Sequence, residues 1–312
     1  MSIPTAAPPT ERVLTHHLVD ATGAVLSSHD ADRPLYAAST IKLHVVLAVA
    51  RAAAEGRLDP DRKVLDPDGK VLDRDGKVRS LDGRVPATTT FTGADGCPFT
   101  LFGDHLDPTH PAEGTPISVR GLVTRAIDRS SNEATDHLLE IVGLDAVART
   151  VDELGLTGTR IERKIGDSAA LEQGLTNETT AADLARTMLA LVGPDALRTD
   201  GARVGEDPDE ERSSGAARAD GLDPLHVRDV DRAMILDALR AQQIPIITTV
   251  LAPGVDHGSK SGWVEGIRHD VAFVGDDLQV LAVMTAGMGE EVADQEIRSL
   301  ARRLLPTAVL AD

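Results

Sequence analysis

Strand-like segments lie at both ends of this chain, and helix-like segments fill the middle. Residues 13–19 (Val-Leu-Thr-His-His-Leu-Val) and 24–27 (Ala-Val-Leu-Ser) read as two short strands, with Thr22-Gly23 as the hairpin turn between them. Gly266–Val274 and Leu278–Ala286 are apolar and strand-like. Two-stranded hairpins are marginal alone, so the simplest solution joins both ends in one antiparallel sheet. A helical unit then inserts between the ends, which is an α+β arrangement.

The middle supports this. An apolar run from Leu43 to Ala54 stops at Gly56, as a buried helix would. Ser118 is placed to cap a helix with Leu122, Val123, Ala126 and Ile127 on one face, ending near Asp128 to Asn132. Ala134, Leu138, Leu139 and Val142 continue at helical spacing to a stop at Gly143. Further helices are expected over 144–154, over Thr179–Leu191 with Thr179 or Thr180 as cap, over about 225–241, and over Asp294–Leu305. The domain division expected is a discontinuous sheet unit (1–42 with 247–312) and a helical unit (43–246). The helical unit carries an inserted hairpin region at 59–112 and an acidic loop at 200–222. Within that region, 63–83 is an imperfect seven-residue repeat with Asp-Gly turns. It lacks the oxygen ligands and terminal Glu of a calcium loop and reads as exposed hairpins.

Composition narrows the function. Lys+Arg total 32 and Asp+Glu 50, so the net charge of -18 disfavours nucleic acid and anionic membrane surfaces as partners. Cys97, the single cysteine, cannot form an intrachain disulfide, and His16-His17 lacks a third metal ligand. The first residues show no signal-peptide pattern, and no stretch is long enough to span a membrane, so a cytoplasmic monomer is expected. No metal or cofactor is expected, and the partner expected is a small-molecule substrate.

Three short motifs carry chemistry: Ser39-Thr40-Ile41-Lys42 (S-x-x-K), Ser130-Ser131-Asn132 (S-x-N) and Lys260-Ser261-Gly262 (K-S-G). Each alone is commonplace: a helix cap, a loop, a turn. In this order they match the signature of the penicillin-interacting serine enzymes. Of the 14 serines only Ser39 has a lysine three residues on. Of only six lysines, against 26 arginines, two occupy motif positions, where a side chain able to lose its proton is required. Residues i and i+3 share a helix face, so Lys42 points to the side of the Ser39 hydroxyl and can serve as its base. A second cation such as Lys260 would favour the Lys42 amine. Ser130 can pass a proton to a leaving group, and Asn132 can bind a substrate amide. Lys260 to Trp263 would line the cleft on an edge strand. The backbone N–H groups of Ser39 and Trp263 would form an oxyanion hole.

From about residue 13 onward the chain resembles the class A β-lactamase-related serine hydrolases. The segment Asn177-Glu178-Thr179-Thr180-Ala181-Ala182-Asp183-Leu184 is similar to the family's stretch after its active-site loop, and Trp263 to Phe273 to its strand pair after K-S/T-G. The resemblance implies a sheet flanked by helices plus an all-helical unit, with the active site between them. It implies catalytic roles for Ser39, Lys42, Ser130, Lys260 and Trp263, and substrate contacts for Asn132, Ser261 and Gly262. Three departures stand out. The loop Arg160-Ile161-Glu162-Arg163-Lys164-Ile165-Gly166-Asp167 lacks the family's E-x-x-L-N, whose Glu drives deacylation. Ser131 replaces the usual Asp of S-x-N. The family's first helix has no counterpart before residue 13. Glu162 and Asp167 are the carboxylates nearest the lost Glu, each equally readable as a loop ion-pair partner. Arg268 is placed either to grip a substrate carboxylate or to form a surface ion pair, and Phe102 and His105 either to wall the cleft, to pack in the core or to be plainly exposed. Hydrolysis of an amide, ester or β-lactam with poor β-lactam turnover, acyl transfer in biosynthesis, and non-catalytic sensing all remain open.

Overall fold

The computed structural model describes residues 10–58, 80–102, 106–193 and 227–311. Most of the 63–83 repeat, the 200–222 loop, His105 and residues 1–9 lie outside the described residues.

β1 (Val13–Val19) and β2 (Val25–His29) form the expected hairpin. The Asp20 carboxylate accepts from the backbone N–H of Thr22 and Ala24, and Gly23 takes a φ of 82°. β3 (Leu35–Tyr36) runs into a 3-10 turn at Ala38–Thr40 and then α1 (Ile41–Ala54). α1 is buried at every position from Ile41 to Ala53, as an apolar-all-round helix must be. β4 (Arg84–Pro86), β5 (Thr90–Thr92), β6 (Pro98–Thr100) and β7 (Pro116–Ser118) make two small pairs, β4 with β7 and β5 with β6. α2 (Val119–Asp128) begins at the expected cap, where the Ser118 hydroxyl accepts from Gly121 N. α3 (Asn132–Val142) stops at Gly143, and α4 (Leu144–Glu153) follows.

β8 (Arg160–Ile161), α5 (Ser168–Glu172) and β9 (Asn177–Thr179) were not legible as elements, being five residues or fewer. α6 (Ala181–Val192) is capped by Thr180; Thr179 belongs to β9, so the expected start there moves two residues on. α7 (Asp229–Arg240), β10 (His257–Val264), β11 (Ile267–Val274), β12 (Gln279–Ala286) and α8 (Glu290–Leu304) complete the chain. α8 starts a turn earlier than expected, because acidic Glu290 and Glu291 suit a helix N-terminus as well as apolar residues do.

The main sheet has the order β10-β11-β12-β1-β2 and is antiparallel throughout. β1 lies beside β12 in the register Val13↔Ala286, so the two ends of the chain share the sheet. One sheet face packs Leu18, Ala272, Val274, Leu281 and Val283 against Ile297, Leu300 and Ala301 of α8. The other packs Val271, Phe273, Val280, Ala282 and Met284 into the helical core around α1. With both faces covered, β11 is buried at all its positions, the polar Arg268, His269 and Asp270 included. Among the described residues no helix is long and apolar enough to cross a membrane.

β10 is the edge strand, held at the right distance by a glycine. A Cβ on Gly258 would lie 2.8 Å from Leu239 C and 2.9 Å from Arg240 N, backbone atoms at the end of α7. Gly258→Ala should therefore push β10 off α7 and cost about 1–3 kcal/mol. The check is urea unfolding, with a lower midpoint at unchanged slope.

Candidate active site

The chain reaches Ser39 through a strained turn. Ala38 has a φ of 48°, Thr40 Oγ1 donates to Ala37 O at 2.6 Å, and Ser39 is partly exposed at the head of α1. Ser130, at the junction of α2 and α3, has a φ of 57°. Left-handed backbone at a non-glycine costs of order 1–3 kcal/mol and persists only where the surroundings fix it. Here the surroundings are two buried lysines.

Lys42 is fully buried, and its Nζ lies 3.1 Å from Ser39 Oγ, 3.1 Å from Ser130 Oγ, 2.5 Å from Ser130 O and 2.8 Å from Asn132 Oδ1. Two of these four oxygens, the carbonyl and the amide Oδ1, can only accept. A neutral amine has two N–H bonds, and these two acceptors use both. Its lone pair then faces the hydroxyls, where it can accept a proton from Ser39. Burial, and next the charge of Lys260, push the Lys42 ammonium well below the ordinary lysine range, while Asp136 and Glu133 pull the other way.

Lys260 is fully buried too. Its Nζ donates to Ser261 O at 2.6 Å and to Ser130 Oγ at 3.1 Å. Burial lowers it to about 7, against the opposing pull of Asp270. The Ser130 hydroxyl thus bridges Lys42 and Lys260. Gly262 lets β10 approach: a Cβ there would sit 3.2 Å from Ser39 N and 3.1 Å from Ala37 O. The strand carrying Trp263, which is 37% exposed, therefore runs beside the Ser39 backbone.

The structure thus brings together Ser39, Lys42, Ser130, Asn132, Lys260, Ser261 and Gly262. It does not bring Arg268 to them. Arg268 pairs in register with Trp263, and its guanidinium bonds Asp294 at 2.6 Å and reaches Glu290 at 3.5 Å, both on α8. α8 covers the sheet face opposite the helical core, so of the two readings of Arg268 the structure shows the ion pair, behind the sheet, and not the substrate grip. Phe102 is exposed. His16 Nε2 lies 2.9 Å from Ser27 Oγ and His17 Nδ1 3.2 Å from Ser28 Oγ.

Neither loop carboxylate reaches the cluster. Glu162 accepts from Thr176 N and faces Arg160, while Asp167 caps α5 through Ala170 N and also accepts from Ala94 N. Three residues that sequence reasoning passed over hold the site in place. Asn177 accepts from Glu162 N and Arg163 N, and its own carbonyl takes Ala37 N, tying the loop to the strand before Ser39. His269, opposite Gly262 in register, donates from Nε2 to Tyr36 O; burial lowers it to about 4, so it is neutral. Asp136, wholly buried on α3, accepts from Ile165 N at 2.8 Å. None belongs to one of the three short motifs, and each sits among other polar residues, so no local pattern singles it out.

Ser131, where the family has Asp, does two things at once. Its hydroxyl accepts from Ala134 N as the cap of α3 and donates to Glu133 Oε2 at 3.0 Å. An aspartate could cap but not donate, and would face the buried Glu133 with like charge. Ser131→Asp should destabilise the protein, and Ser131→Ala should cost about 1 kcal/mol of cap energy. Calorimetric midpoints of the two variants at pH 7 check this, and equal or higher stability of Ser131→Asp would contradict it.

The comparisons bear on the fold and the family. The sequence model of the Beta-lactamase enzyme family matches residues 9–205 and 198–308. Among solved structures, the fold is similar to a β-lactamase from Sphaerobacter thermophilus at TM-score 0.63 and 23% identity, covering 95% of this chain and 94% of that one. It is similar also to an ancestral class A β-lactamase at TM-score 0.62 and 19% identity, covering 94% and 93%. A third similar structure is L2 complexed with relebactam, at TM-score 0.63 and 20% identity, covering 93% and 89%. No curated protein matches the sequence. The fold is the class A β-lactamase-like α+β fold, and the chain belongs to the β-lactamase family of serine hydrolases.

Proposed function

We propose that the protein is a serine acyl hydrolase, cleaving an amide, ester or β-lactam bond of a small molecule through an acyl-Ser39 intermediate, with slow turnover of β-lactams. The observation that carries this is the hydrogen-bond inventory at Lys42, whose amine form has its lone pair turned to the Ser39 hydroxyl.

The steps follow from the side chains. Ser39 Oγ gives its proton to Lys42 and bonds to the substrate carbonyl carbon. The carbonyl oxygen, now negative, is held by the backbone N–H groups of Ser39 and Trp263, next to the N-terminus of α1. As the C–N or C–O bond breaks, the leaving group takes a proton from Ser130 Oγ, and Lys42 restores it. Asn132 spends its Oδ1 on Lys42, so the end able to meet a substrate is its N–H donor. Lys260 as ammonium, with Ser261, attracts a substrate carboxylate. Water or another nucleophile then takes the acyl group from Ser39.

One observation favours a second reading for that last step. Glu162 accepts from Thr176 N, and Asp167 from Ala170 N and Ala94 N, so both carboxylates have other tasks than activating a water at Ser39. Acyl transfer to an amine acceptor then competes with hydrolysis.

Intact-mass spectrometry tests both. A penicillin should add its mass to the wild type and not to Ser39→Ala, and the adduct should persist for many turnovers' worth of time. An added amine that speeds its loss favours transfer; rapid loss in water alone favours an ordinary hydrolase. No adduct in folded protein, from a penicillin or from an activated ester, removes the proposal. Because Lys260 is lowered to about 7, its ammonium is lost as pH rises through that value. Acylation by a penicillin, which carries a carboxylate, should therefore decline above pH 7, while acylation by neutral p-nitrophenyl acetate should not.

A further inference from the structure

Asp136, a buried carboxyl on α3 one turn beyond Asn132, acts on Lys42, and its chemistry exceeds what anchoring a loop requires. Its Oδ1 accepts from Ile165 N, whereas its Oδ2 is buried without any hydrogen-bond partner. The charged groups facing it are Lys42 from α1, Lys164 from the loop, and Glu140 from α3 itself. Lys164 is engaged with Glu140 at 3.4 Å and with Thr92 O at 2.6 Å. Lys42 in turn faces Lys260 on β10, and Glu133 as well as Asp136 on α3. Holding Ile165 N needs only a carbonyl-type oxygen, which an asparagine also supplies. A carboxyl adds a charge that can appear and disappear.

An orphaned Oδ2 in a dry interior is a costly place for negative charge, so the proton belongs there. Burial accordingly raises the Asp136 carboxyl well above the ordinary carboxylate range. With Asp136 protonated, Lys42 feels burial and Lys260, and both favour the amine. With Asp136 ionised, its charge favours the ammonium. We propose that Asp136 is a positioning residue that sets the proton state of Lys42, so that the two titrate as one coupled unit. The inference rests on Lys42 being the base for Ser39. When Ser39 gives up its proton, the new Lys42 ammonium sits beside Lys260, and that repulsion is moderated to the extent that Asp136 is ionised. Coupled groups lose protons in steps that belong to the pair.

The chain has six lysines, few enough for Lys42 to be followed by its 13Cε NMR signal in protein labelled on lysine and assigned with Lys42→Met. In wild type the Lys42 signal should titrate in two steps. In Asp136→Asn, which keeps the acceptor for Ile165 N–H, it should titrate in one, with a midpoint lower by about one pH unit or more. An unchanged midpoint overturns the proposal. If Asp136→Asn does not fold, the wild-type curve decides: a single step near the ordinary lysine value of about 10.4 overturns it. The readout needs no substrate, so a failure of penicillin or ester to acylate Ser39 would sink the proposed function and leave this result standing. In the activity arm, the acid limb of Ser39 acylation by p-nitrophenyl acetate should move to lower pH in Asp136→Asn. A lysine shift without that movement would overturn the link to Ser39.

Discussion

One hydroxyl bridged by two buried lysine nitrogens is the constraint around which the molecule is arranged. Ser130 Oγ lies 3.1 Å from Lys42 Nζ and 3.1 Å from Lys260 Nζ. The three residues come from the α2–α3 junction, from α1 and from β10. Each must be rigidly backed for the bridge to exist, since burying lysine nitrogens opposes folding. α1 is buried on all sides, α2 and α3 pack in the same core, and β10 is braced by Gly258 against α7 and by Gly262 against the Ser39 turn. The left-handed backbones of Ala38 and Ser130 are the local expense of aiming two hydroxyls at one amine.

Behind each lysine stands a buried acid. Asp136 acts on Lys42 from α3, and Asp270 acts on Lys260 from the opposite face of the sheet, next to Val271, the register partner of Lys260. Asp270 is held by the N–H groups of Ile246 and Ile247, yet burial still raises it to about 6. The interior therefore carries its own charge balance, separate from the net charge of -18 of the whole chain. That distinction matters for substrate choice. The chain as a whole repels anions, while the Lys260 nitrogen, when protonated, can attract one.

The sheet, the order of helices and the three motifs were legible because they are written in local patterns: apolar runs, caps and spacing. Ser118, Gly56 and Gly143 each did what their type predicts. The supporting set was not legible, since Asn177, His269 and Asp136 act on residues distant in sequence. His269 reaches Tyr36 across the fold, and Asp136 reaches Ile165 from another element. Nothing local marks such a residue. Arg268 shows the converse. Its distance from Lys260 along the chain suited a substrate grip, but strand register decides the face, and the register turned it towards α8. β8, β9 and α5 were missed because elements so short carry no periodicity.

The pairing of β1 with β12 has a consequence for how the protein comes into being. β1 is made first and β12 nearly last, at about 5–20 residues per second. For tens of seconds on the ribosome β1 has β2 alone beside it, with one edge and an apolar face bare. Ser39, Lys42 and Ser130 are synthesised during this interval, but the nitrogen of Lys260 that completes their bridge is not. The nascent chain therefore carries Ser39 and Lys42 without the nitrogen that completes the bridge, which arrives only with the last strands of the sheet.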